Sequence, residues 1–268
     1  MTPLDPLQVQ EPIGHELVGS GPIHVVIMHD WLSDTSTWDG ARAYLDCKRF
    51  TFAFADLRGY GRSIERTGAF TLVEATADVL ALADGLHWER FAVVGHSMSA
   101  LVALQLAQHH QDRIERAIAL TPPPPTGLGA DDAMLAASRG LALADDTTRL
   151  TVLAQQFGNR LSPAWVAHKA SRWRACADPA AAAGYAAMFA RDGLPEPAAR
   201  ITVPLLAITG EKDAPPMRSD AVSRVLKPLC DKFTVNALAE SGHYPMQELP
   251  PLTVAIVERF LGPKRPLI

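Results

Sequence analysis

The order of apolar runs along this 268-residue chain predicts an α/β domain, with a mostly parallel central sheet flanked by helices and interrupted once by an all-helical insertion. Three observations carry that expectation. Short apolar runs alternate with segments whose apolar residues recur every three or four positions, the rhythm of strands joined by crossover helices. One run, Ala92-Val93-Val94, passes through Gly95-His96 into Ser97 and then directly into a helical pattern. The run Pro122-Pro123-Pro124-Pro125 then stops the alternation, because proline continues neither a central strand nor a helix interior.

Taken in order, His24-Val25-Val26-Ile27-Met28 reads as a buried strand after the turn Gly19-Ser20-Gly21-Pro22. Phe50 to Ala55 is a second strand ending at Asp56, Phe91 to Val94 a third and Arg116 to Leu120 a fourth. Leu205 to Ile208 and Lys232 to Val235 follow late in the chain. Leu72 to Leu86, Ala100 to His109 and Leu252 to Leu261 carry helical spacing. Between Thr121 and Ile201 no strand pattern interrupts the helical one, which has stops near Asp145-Asp146, Ser162-Pro163 and Asp178-Pro179. Residues 122–200 are therefore expected to form a cap of about four helices, inserted into a core made of residues 1–121 and 201–268. The insertion leaves from the carboxyl end of a strand, the side on which such sheets bind ligands. The other arrangement is a set of extra helices packed on the sheet away from any site.

Composition removes several classes of function. A net charge of −4 offers no basic surface for nucleic acid, so nucleic acid is not an expected partner. No apolar run reaches the roughly 18 residues of a membrane span, and no membrane partner is expected. Met1-Thr2-Pro3-Leu4-Asp5-Pro6 lacks the basic start and apolar core of a signal peptide. Cys47, Cys176 and Cys230 are odd in number and widely spaced, which fits a reducing cytoplasm better than a disulfide framework. The histidines show no zinc spacing, and adjacent His109 and His110 read as solvated. No metal and no cofactor are expected; a monomer or a homodimer fits equally.

The chemistry centres on Ser97. On a sharp strand-to-helix turn between small residues, a serine hydroxyl stands clear of the backbone where a general base can reach it. It is a poor nucleophile until that base takes its proton, and the base needs an orienting acid. Ile208-Thr209-Gly210-Glu211-Lys212-Asp213 sets an acid just beyond a strand, and Ser241-Gly242-His243-Tyr244-Pro245 sets a histidine between the last strand and the last helix. Ser97 is the expected nucleophile, His243 the general base and acid, and Asp213 the orienting carboxylate, with Glu211 the alternative acid in the same loop. Donors must also face the oxygen that becomes negative during acyl transfer. The backbone N–H of Met98 is one, and that of Trp31, in the loop after the first buried strand, is the expected second.

His29-x-Trp31, Asp56-Leu57-Arg58-Gly59-Tyr60-Gly61-Arg62-Ser63, Gly95-x-Ser97, Gly210-x-x-Asp213 and Gly242-His243 stand in the order of the landmark motifs of the α/β-hydrolase superfamily, which the chain resembles nearly throughout outside the insertion. The resemblance implies the α/β-hydrolase fold and treats the Asp56–Ser63 loop as structural. Two positions depart from the family pattern. Asp30 replaces the usual glycine after His29, adding a carboxylate beside the oxyanion site; it is expected to point away or to be held by hydrogen bonds. Ser99 replaces the second glycine of G-x-S-x-G, and Gly95-His96-Ser97-x-Ser99-Ala100 also resembles a signalling branch that includes the karrikin and strigolactone receptors of plants.

The function expected from these readings is hydrolysis of a small carboxylic ester through an acyl-enzyme, with a small molecule as the partner. His29 and the insertion residues Trp165, Trp173, Tyr185, Met188 and Phe189 are expected to bind the substrate. Lactone, thioester or carbon–carbon bond hydrolysis would use the same apparatus. A ligand sensor with slow turnover is the reading from a different class, and a cofactor-free oxidative or perhydrolytic activity is a third.

Overall fold

The computed structural model describes residues 11–157, 160–195 and 199–263. Met1 to Pro6, read above for a targeting segment, lie outside the described residues. Seven strands form one sheet: β1 (His15–Gly19), β2 (Ile23–Met28), β3 (Phe50–Ala55), β4 (Phe91–His96), β5 (Ile114–Leu120), β6 (Leu205–Gly210) and β7 (Phe233–Leu238). Their spatial order is β1-β3-β2-β4-β5-β6-β7. β1 pairs antiparallel with β3, and every other pairing is parallel. Each strand expected from an apolar run is present, its ends shifted by a few residues. β1 is the strand the sequence reading missed.

Helices α1 (Asp39–Arg42), α2 (Leu72–Gly85) and α3 (Met98–His109) precede the insertion; α8 (Ser219–Leu226), α9 (Pro245–Glu248) and α10 (Pro250–Leu261) follow it. The sheet is buried on both faces, so strand side chains alternate between two apolar layers. Val26, Met28, Ala53, Val93, Ala117 and Ala207 pack with α2, α3 and α8. Val25, Ile27, Phe52, Phe54, Val94, Ile118 and Ile208 pack with α1 and α10. Among the described residues no helix is long and apolar enough to cross a membrane, and the three cysteines are unpaired.

Between β5 and β6 run α4 (Asp132–Ala142), α5 (Asp146–Phe157), α6 (Pro163–Cys176) and α7 (Pro179–Ala187), followed by a π-helical turn at Met188–Asp192. The expected stops are helix starts: Asp145, Ser162 and Asp178 each accept backbone N–H bonds from the first turn that follows, and proline comes next in the chain after the latter two. α4 packs on α7, and α5 on α6. The Asp56–Ser63 loop anchors this layer to the sheet. Gly59 has φ +76°, and a Cβ there would stand 2.2 Å from the Cβ of Ala181 on α7. The Gly59 carbonyl also accepts the Asp178 N–H at 2.8 Å.

Asp56 organises the rest of that loop from a buried position, accepting the Thr35 N–H at 2.8 Å and the Arg62 N–H at 3.0 Å. Asp56→Ala leaves both donors without this acceptor. A cost of about 3 kcal/mol is expected, lowering Tm by roughly 6–12 °C for a chain of this size, with less than half that loss in Asp56→Asn; thermal scans of both variants measure it.

Candidate active site

The chain turns from β4 into α3 at Ser97, whose φ and ψ of 55° and −118° lie in a region that side-chain-bearing residues rarely adopt. Such a conformation costs about 1–3 kcal/mol and persists only where surrounding contacts enforce it. Those contacts are present. The Ser97 N–H donates to the Leu120 carbonyl at 2.9 Å, fixing the turn to the end of β5. A Cβ on Gly95 would stand 2.1 Å from the Ser99 carbonyl oxygen, so only glycine fits there. Ser99 is fully buried; its hydroxyl accepts the His96 N–H at 2.9 Å and donates to the His96 carbonyl at 3.1 Å. The serine found in place of the family's glycine thus closes the turn with two additional hydrogen bonds.

Ser97 makes no capping bond to α3, which leaves its hydroxyl for another partner. That partner is His243: its Nε2 lies 2.8 Å from Ser97 Oγ, and its Nδ1 lies 2.7 Å from Asp213 Oδ2. With the proton on Nδ1 donated to Asp213, Nε2 is free to accept from the serine. Burial favours the uncharged ring, but Asp213, supported by Asp30, outweighs it and raises the His243 pKa above the ordinary 6.5. Burial likewise opposes ionisation of Asp213, yet the facing His243 holds that carboxyl below its usual range. Glu211, the alternative acid, turns to Thr209 Oγ1 and the Ser219 N–H at the start of α8, each 3.2 Å away.

Three residues to which the sequence reading gives no role position the histidine. Glu248 accepts the Gly242 N–H at 2.7 Å and the Tyr244 N–H at 3.0 Å, gripping the backbone on both sides of His243. Its carboxylate also pairs with Arg160. His96 Nε2 donates to the His243 carbonyl at 2.7 Å, and Thr121 Oγ1 donates to the same oxygen at 3.2 Å. The one hint in the sequence is that His96 ends β4 and Thr121 directly follows β5, at the carboxyl ends of strands where site groups gather.

As the first residue of α3, Met98 has an N–H with no acceptor inside the helix. The Trp31 N–H follows β2 on the neighbouring strand, and the Trp31 indole donates to the Ala182 carbonyl on α7 at 2.8 Å. Ser97 and His243 open into a cavity of about 420 Å³, walled by Trp31 and Leu32 from the core and by Met134, Leu141, Leu153, Trp173 and Phe189 from the insertion. Of the six residues expected to bind substrate, Trp173 and Phe189 line this cavity. The other four do not line the cavity. His29 is buried, donating from Nδ1 to the Asp30 carbonyl and accepting the Leu57 N–H at Nε2. Trp165 donates to Gln247 outside the cavity, Tyr185 packs on Tyr60 and Phe70, and Met188 joins the apolar layer beneath. Helical spacing marks these as apolar positions, and packing within and beneath the insertion takes them.

Asp30 is buried and held by hydrogen bonds from Tyr244 (2.7 Å), Thr37 (3.0 Å) and Lys169 of α6 (3.1 Å). Lys169 also donates to Ser33 at 3.0 Å and sits 4.4 Å above the Tyr244 ring. Burial disfavours the Asp30 charge, but Lys169, His96 and Tyr244 together hold its carboxyl well below the usual range. Among the described residues no cluster has the make-up of a metal site.

A doubly covered parallel sheet, a serine on a strained strand-to-helix turn and a histidine–carboxylate pair from the later strands define a class of hydrolases built around that turn. The chain belongs to the alpha/beta hydrolase family, whose model it matches over residues 15–256. It is 36% identical over 107 residues to the pimeloyl-[acyl-carrier protein] methyl ester esterase of Salmonella heidelberg; the match takes in 40% of this chain and 39% of that enzyme, so the chain spans about two fifths of the length of such curated relatives. Its fold resembles the bromoperoxidase of Bacillus anthracis, with a TM-score of 0.78 and 18% identity over 92% of this chain and 94% of that one. It also resembles the enol-lactonase of Burkholderia xenovorans, with a TM-score of 0.74 and 23% identity over 92% and 95%.

Because His243 gains more from Asp213 than it loses by burial, its ring is expected to titrate above pH 6.5, and a rate that needs the neutral ring declines as pH falls through that value. In Asp213→Asn burial is left to dominate and the titration moves downward. An imidazole NMR titration of both forms reads this directly; an unshifted midpoint in the variant would remove Asp213 as the partner.

Proposed function

We propose that this chain is a serine hydrolase of small carboxylic esters acting through an acyl-enzyme, with Ser97, His243 and Asp213 as its catalytic triad. The observation that carries the reading is the unbroken hydrogen-bond chain from Ser97 through His243 to Asp213 at the base of a largely apolar cavity. His243 takes the Ser97 proton as Oγ attacks the carbonyl carbon, and the Met98 and Trp31 amides receive the developing oxyanion. His243 then gives the proton to the leaving alcohol. For deacylation it activates a water, and Ser97 recovers its hydrogen.

Residues 122–200 act in this reading as the cap that shapes the acyl site, with Trp173 and Phe189 among its walls. The partner is a small molecule, with neither nucleic acid nor a membrane surface involved. Three unpaired cysteines support a reducing, cytoplasmic setting. The esterase named among the relatives supports ester cleavage, and the enol-lactonase among the fold neighbours keeps cyclic esters within the same reading. The ligand-sensor reading was motivated by Ser99, and the hydrogen bonds of that side chain give it a structural use instead.

Hydrolysis of short-chain p-nitrophenyl esters tests the proposal. Turnover is expected in the parent protein and a loss of at least about 10³-fold in Ser97→Ala, with residual rate only from binding and the oxyanion donors. A Ser97→Ala variant of near-parental activity would sink the acyl-enzyme. A folded parent without turnover, whose Tm rises on ligand binding, would favour the sensor.

A further inference from the structure

Lys169 is the one lysine or arginine among the described residues that line the cavity, and it comes from the insertion, while Asp30 comes from the core. Both are almost wholly buried, at 4% and 1% exposure. Removing two charges from water is costly, and an apolar pair of similar volume would join α6 to the core at least as well. An ion pair in the wall of a site, beside a nucleophile, therefore calls for an explanation in terms of what the site admits.

The pair cancels itself. The Lys169 ammonium gives hydrogen bonds to Asp30 and Ser33 and faces the Tyr244 ring, and Asp30 is filled by Lys169, Tyr244 and Thr37. The other carboxylate lining the cavity, Asp213, is engaged by His243 and the Ala214 N–H. The remaining wall is mostly apolar, from Leu32, Met134, Leu141, Leu153, Trp173 and Phe189. A substrate carboxylate would find its only cation already spent, and a substrate ammonium would find both anions spent. A cavity of about 420 Å³ keeps any substrate charge within about 10 Å of the pair, a range over which unit charges interact strongly at low dielectric.

We infer that Asp30 and Lys169 together determine the charge of the substrates this cavity accepts, their mutual compensation selecting esters and lactones that are uncharged. The inference rests on the serine-hydrolase reading above. Asp30 also immediately precedes Trp31, so its compensation by Lys169 keeps an unbalanced negative charge away from the developing oxyanion.

The test compares kcat/KM for p-nitrophenyl valerate and mono-p-nitrophenyl glutarate, acyl groups of equal length ending in methyl or in carboxylate. The parent is expected to favour the valerate by at least about tenfold. Asp30→Asn, which keeps the shape of the side chain and one acceptor oxygen, uncovers Lys169 and should raise the glutarate-to-valerate ratio at least about tenfold. Lys169→Met should lower that ratio further, and the double variant should return close to the parent. A ratio unchanged within about twofold in both single variants overturns the inference, as does a parent that takes both esters equally; the parent comparison and the double variant stand even where a single variant fails to fold. Absence of Ser97-dependent valerate hydrolysis in the parent would instead overturn the hydrolase reading itself.

Discussion

The crowding between β4 and α3 is the constraint on which the rest of the site depends. The chain reverses so tightly that the Ser99 carbonyl passes where a Gly95 side chain would be, and the serine at the apex is pressed into a positive-φ conformation. The energy stored there is supplied by a sheet buried on both faces and by the bond from Ser97 N–H to the end of β5. In return the hydroxyl is freed from its own helix and stands in the wall of the cavity. His243 and its carboxylate are then fitted to a fixed point, by bonds that run mostly to backbone: Glu248 to two amides, His96 and Thr121 to one carbonyl. Backbone anchoring limits the rotations by which the imidazole could drift from the serine.

The sequence makes some of this legible and hides the rest for physical reasons. The parallel strands are readable because burial on two faces demands near-continuous apolar runs. Ser97, Asp213 and His243 are readable because each follows a strand within a few residues and has a glycine one to three positions before it, where local chain geometry is written in nearby residues. β1 is not, since His15-Glu16-Leu17-Val18-Gly19 is an edge strand with one exposed side and no apolar run. Trp165, Tyr185 and Met188 carry the helical period of apolar residues, but the period cannot say whether a helix turns that face to a cavity or to its neighbour. Lys169 is the deepest omission. A lysine in a helix reads as a solvated group, and only the meeting of α6 with a residue 139 positions earlier makes it a buried one.

The two departures from the family pattern have different outcomes. Ser99 strengthens the turn, because one hydroxyl can accept the His96 N–H and donate to the His96 carbonyl at close range. Asp30 is accommodated by importing a cation from the insertion, so that one atypical residue in the core is matched by another in a region of separate sequence. Neither residue is intelligible in isolation, and each becomes so through its hydrogen-bond partners.

The insertion itself is fastened unevenly. α6 and α7 are tied to the core by Lys169–Asp30, Arg172–Asp34, the Trp31 indole on Ala182 and the close seat of Ala181 on Gly59. α4 and α5 rest chiefly on those two helices, yet they supply Met134, Ala137, Ser138, Leu141, Val152 and Leu153 to the cavity wall. The molecule thus separates a permanent scaffold from an exchangeable surface. Variation in α4 and α5 can reshape the cavity while the Ser97–His243–Asp213 cluster and its anchors stay constant, which makes those two helices the natural ground for divergence in what the cavity admits.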